Sequence, residues 1–90
     1  MIRVTVTAYK KEISVEVDGH SAYSARGSDI VCAGVTALVM GIAPFGADTE
    51  AGDGYFYSVF SETDALAVDT FVNGIREIER LYPDYVELVC

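Results

Sequence analysis

Apolar and polar side chains alternate from the start of the chain. Ile2, Val4, Val6 and Ala8 interleave with Arg3, Thr5, Thr7 and Tyr9, which predicts a half-buried strand. Lys10-Lys11-Glu12 makes a turn. Ile13, Val15 and Val17 then alternate with Ser14, Glu16 and Asp18, so a second strand returns as a hairpin and ends at Asp18-Gly19. The alternation stops over 19–28, a loop rich in Ser, Ala and Gly. From Ile30 to Ala47 almost every side chain is apolar, and Thr36 is the only clearly polar one. Gly34, Gly41, Pro44 and Gly46 break this run, and Pro44 stops a helix. The pattern therefore predicts a short buried core helix and a tail rather than a membrane span. The helix should run from Asp29 to about Gly41, with Ser28 as N-cap and Asp29 complementing the dipole. Ala33, Gly34, Ala37 and Gly41 are small and permit close approach to a sheet or a second helix.

Asp48 to Ala51 reads as a short third strand, Gly52-Asp53-Gly54 as a tight turn and Tyr55 to Ser61 as a strand of strong β formers. Thr63 or Ser61 caps a second helix. Leu66, Phe71, Ile75, Ile78 and Tyr82 recur there at helical spacing, and the helix ends before Pro83. Tyr85 to Val89 forms a short last strand. The order β-β-α-β-β-α-β predicts an α+β fold: a small two-layer domain spanning 1–90. Its mainly antiparallel sheet should carry both helices on one face.

Composition narrows the function. The net charge of −8 speaks against nucleic acid, which needs a basic surface, and against an anionic membrane surface. It would attract a basic partner. One His and two Cys are too few for a closed zinc site in one chain, so neither metal nor cofactor is expected. Met1-Ile2-Arg3-Val4 lacks the basic start and apolar run of a signal peptide, which points to the cytoplasm and reduced thiols. Ninety residues are few for an autonomous core, and a homodimer would bury more surface.

The chemistry concentrates between Gly19 and Gly34. This segment holds His20, the single histidine, and Cys32 at the start of the predicted helix. A helix N-terminus stabilises a thiolate and offers N–H donors to an oxyanion, and a nearby histidine can take the thiol proton. The alternative for Cys32 is a small buried hydrophobe within Ile30-Val31-Cys32-Ala33, and for His20 a surface loop residue without a role. Asp29 either orients His20 or only complements the dipole. Ser21 and Ser24 lack the sharp presenting turn a serine nucleophile needs. Thr36 lies one helical turn beyond Cys32. Asp48, Glu50 and Asp53 miss the spacing of a calcium loop and read as a solvated hairpin. Cys90 receives no role. The residues 21–28 offer Tyr23 as their one large apolar anchor, so this loop, with Gly27 as hinge, is expected to close over a bound peptide.

Gly19-His20-Ser21, followed by Ser28-Asp29-Ile30-Val31-Cys32-Ala33-Gly34-Val35-Thr36, resembles the ribosomal-processing cysteine protease family Prp. The resemblance extends over nearly the whole chain and includes the closing Arg80-Leu81-Tyr82-Pro83-Asp84-Tyr85-Val86 run. It implies a cysteine endopeptidase that removes a short N-terminal extension from a bacterial large-subunit ribosomal protein. Cys32 would be the nucleophile, His20 the general base and acid, and Asp29 a member of the same motif. Gly19, Ser21, Gly27, Ala33 and Thr36 are the expected substrate-binding positions. The family position matching Thr36 is commonly serine, and region 41–53 departs from the family pattern. The rival class is a non-catalytic module that binds a ribosomal protein or assembly factor, with Cys32 in its core; a third reading is a thiol enzyme acting on something other than a peptide.

Overall fold

Two strands built on the alternating N-terminal pattern form the centre of the sheet. The computed structural model describes residues 1–25 and 28–90. Strand β1 (Ile2–Tyr9) pairs antiparallel with β2 (Glu12–Asp18), in a register that sets Val4 against Val17 and Val6 against Val15. Because side chains alternate, this register places Ile2, Val4, Val15 and Val17 on one buried face. Strands β3 (Ala47–Gly52) and β4 (Tyr55–Ser61) add a second hairpin through β4, whose Phe56 and Phe60 continue the same face. Strand β5 (Val86–Val89) joins the other edge parallel to β1, giving the order β3-β4-β2-β1-β5. Edge strand β3 is exposed throughout and bulged between Ala47 and Glu50, where Asp48 takes φ 53°. Such an irregularity discourages further strand pairing.

Helix α1 (Ile30–Ile42) buries Val31, Val35 and Ile42, and helix α2 (Ala65–Leu81) buries Val68, Phe71 and Ile75. Burying each such side chain is worth about 2 kcal/mol. Both helices feed one core with the inward sheet face, which makes the expected two-layer α+β arrangement. The small residues of α1 serve the second helix: Gly34 faces Ile78, and Gly74 of α2 faces Leu38. Gly41 has no neighbour that its hydrogen serves.

Helix α1 has 13 residues, within a residue of the expected Asp29 to Gly41 at each end, and runs into a 3₁₀ turn at Ala43–Phe45 that accommodates Pro44. It departs from expectation in not being buried all round, since Ile30 and Met40 are 57% and 68% exposed. Ser61 caps the 3₁₀ turn Glu62–Asp64 that leads into α2, accepting from the Thr63 N–H at 3.2 Å. Among the described residues no helix is long and apolar enough to cross a membrane.

Candidate active site

The start of α1 is organised by Asp29. Its backbone is extended (φ −81°, ψ 97°), and its Oδ1 accepts the Cys32 N–H at 2.9 Å. Asp29, rather than Ser28, is therefore the N-cap. Ser28 instead folds back, with both its amide and its hydroxyl donating to the Ala25 carbonyl at 3.0 Å. The cap places Cys32 at the third helical position, where the dipole is most positive.

The other carboxylate oxygen of Asp29 faces the loop. Oδ2 accepts the Ser21 hydroxyl and the Tyr23 N–H, the latter at 3.2 Å. These donors hold the Asp29 carboxyl below its ordinary value of 3.8, with the Ser21 hydroxyl the largest influence and the Cys32 amide next. Asp29 thus faces the nucleophile's backbone and the loop, and no hydrogen bond joins it to His20. The carboxylate that does face His20 is Asp53, 4.0 Å from its Nε2. In sequence Asp53 is only an acid in the tight turn Gly52-Asp53-Gly54; the fold alone brings that turn to the histidine loop.

His20 is seated by two glycines. Gly19 (φ 101°) lies so close to Met1 that a Cβ would overlap the Met1 carbonyl oxygen, and its N–H donates to the Gly54 carbonyl at 2.8 Å. Gly54 (φ 71°) passes beneath the imidazole, where a Cβ would stand 2.6 Å from Nε2. The ring remains largely exposed.

Cys32 is a free thiol of intermediate exposure, while Val31 and Val35 beside it are 1% and 3% exposed. It stands at the margin of the core, neither buried nor fully exposed. Ala33 and Thr36 are exposed, Thr36 four residues beyond Cys32 on the same side of α1. Ser21, expected to touch substrate, is only 2% exposed and turned inward to Asp29. The loop has more anchors than its composition promised. Tyr23 packs edge-on against Tyr82 and Tyr85, with ring centroids 5.4 and 5.2 Å away. Gly27, the expected hinge, and Arg26 lie outside the described residues. Among the described residues neither a hydrogen bond nor an ion pair links His20 to Cys32, and no group of His, Cys, Asp and Glu is placed to hold a metal.

A partly exposed thiol at the start of a helix, with a histidine on the loop leading to it, is the residue pair that a small α+β cysteine hydrolase uses. Residues 1–87 match the family described as Cysteine protease Prp, and the chain belongs to that family. The Ribosomal processing cysteine protease Prp of Bacillus subtilis (strain 168) is 33% identical over 103 aligned positions, covering 93% of this chain and 92% of the relative. Two crystal structures of the essential ribosomal processing protease Prp from S. aureus share the fold at 28% identity. One, with a covalently linked product peptide, superposes with a TM-score of 0.84 and covers 99% of this chain and 98% of that one. The other, with a substrate peptide, gives 0.76 and covers 98% and 97%.

Proposed function

We propose that this cysteine protease removes a short N-terminal extension from a bacterial large-subunit ribosomal protein, with Cys32 as nucleophile and His20 as general base and acid. The observation that carries the reading is the partial exposure of Cys32, at the third position of α1, between two fully buried valines. A core cysteine in a binding module would be as enclosed as its neighbours.

In this mechanism the Cys32 thiolate attacks the scissile carbonyl, and the positive end of the α1 dipole faces the developing oxyanion. The first-turn amides are the candidate donors. The Cys32 N–H is engaged by Asp29 Oδ1, so its use requires that bond to open. His20 protonates the leaving amine and then activates the water that releases the acyl enzyme. Its orienting carboxylate is Asp53. Thr36, Ala33 and Gly19 border the peptide site.

A net charge of −8 supports a basic ribosomal protein as the substrate, and two free thiols fit a reducing cytoplasmic setting. The outward face of α1 supports a homodimer, because Ile30, Ala37 and Met40, away from the residues bordering the peptide site, are exposed in a stretch without charge.

The test is incubation with the same organism's ribosomal-protein precursor, read by mass spectrometry. One cut near the precursor's N-terminus is expected, lost in Cys32→Ala. That variant should stay folded, since the side chain is small and alanine is the best helix former. Retained cleavage in Cys32→Ala would remove Cys32 from the mechanism.

A further inference from the structure

Ser21 hydrogen-bonds the residue that caps the nucleophile and directly follows the proposed base in the chain. Its hydroxyl is buried and donates to Asp29 Oδ2, while Asp29 Oδ1 accepts the Cys32 amide. The Tyr23 amide reinforces the same oxygen at 3.2 Å. Among the described residues, Asp29 is the one side chain whose hydrogen bonds join the His20 segment to the helix bearing Cys32.

We propose that Ser21 is a positioning residue for catalysis: through Asp29 it fixes the backbone that carries His20 relative to the helix start that carries Cys32. The proposal rests on the Cys32–His20 reading above. Two features support it. Ala22, next in the chain, holds φ 57°, a conformation rare for a residue with a Cβ. The bonds on either side of Ala22, from the Ser21 hydroxyl and the Tyr23 amide, converge on one carboxylate oxygen and hold that conformation in place. Charge-assisted bonds of this kind are stronger and more directional than neutral ones. Ser21 does not touch the reacting atoms; it acts through its neighbours.

Ser21→Ala removes the donor and leaves the backbone. Asp29→Asn keeps a cap acceptor for the Cys32 amide, but its NH₂ cannot accept from Ser21 and Tyr23. Both are made in a Cys90→Ser background, so that only Cys32 reacts with iodoacetamide. The loss of one charge-assisted bond and slight misplacement of the dyad should lower kcat about 10-fold with KM unchanged. The two substitutions combined should cost little more than either alone, because they break one link. In both variants the Cys32 alkylation profile should move toward that of His20→Ala. The Tyr23 amide should exchange faster, while α2 amides keep their protection. A rise in KM at constant kcat would make Ser21 a substrate contact and overturn the proposal, as would unchanged kcat and an unchanged alkylation profile. Additive losses would also overturn it. If the wild-type protein cleaves no precursor, yet Ser21→Ala still frees the Tyr23 amide and shifts the alkylation profile, the proteolytic reading fails and the Ser21–Asp29 link stands. Should Ser21→Ala not fold, Asp29→Asn decides by the same readouts.

Discussion

At the scale of single residues, Asp29 does more than a helix cap requires. One carboxylate satisfies an orphan helix amide and gathers the loop before it. Its ionisation is therefore linked to stability, and the sign follows from the direction of the shift. The folded carboxyl lies below 3.8, so the stabilisation is fully present above that value and is lost as pH falls through the folded one. Melting temperature should fall on acidification below about pH 4, and Asp29→Asn should flatten that part of the curve while lowering stability near neutrality. Parallel melting curves from pH 2 to 6 for the two proteins, without convergence at the acid end, would show that Asp29 is not the linked group. Asp53 and His20 differ in kind. Both are exposed and 4.0 Å apart, so their pairing contributes little to stability, and any value it has lies in the orienting role proposed for Asp53.

At the scale of elements, α1 and α2 approach through a missing side chain. A Cβ on Gly74 would stand 2.8 Å from both Leu38 methyl carbons, and one on Gly34 would stand 3.3 Å from Ile78 Cδ1. Gly74→Ala should be nearly neutral, because the gain in helix propensity of about 1 kcal/mol offsets the displacement of a flexible Leu38 tip. Gly74→Leu has no such escape and should destabilise by about 2 kcal/mol, checked by urea denaturation. An equally stable Gly74→Leu would mean that the helices pack by another route. The elements themselves were legible because the signals were periodic. Alternation gave β1, β2 and β4, and Gly and Pro marked the turns and the end of α2. What composition hid was pairwise and long-range. Ser28 and Asp29 are both good caps, and only the loop's own bonds decide between them. The loop 19–25 read as weakly anchored because Tyr23 finds Tyr82 and Tyr85 some sixty residues along the chain. Asp53 was hidden for the same reason, since the fold brings its turn to His20, whereas Ser21 was expected at the substrate and instead bonds Asp29 within its own loop. Cys32 and His20 stood out as rare residue types at a helix start and on a glycine-flanked loop.

At the scale of the whole molecule, charge and apolar surface are segregated. The chain carries −8, yet no charged residue lies between Ile30 and Ala47, and the outward side of α1 shows Ile30 and Met40 at 57% and 68% exposure, with Phe45 at 54% just beyond. If two copies meet through this face, as proposed above, they repel at long range through their net charge and attract only at contact. The two contributions answer salt differently. Screening shortens the Debye length from about 14 Å at 0.05 M to about 4 Å at 0.5 M and leaves apolar burial intact. Self-association through α1 should therefore strengthen with salt. Capture of a basic ribosomal protein should weaken over the same range. Sedimentation velocity at the two salt concentrations should show the dimer fraction rising in the wild-type protein. Met40→Glu sets a charge in the centre of the face at an exposed position, so it should stay folded and monomeric at both. A wild-type protein that remains monomeric in high salt, or a Met40→Glu variant that still dimerises, would move the self-interface away from α1.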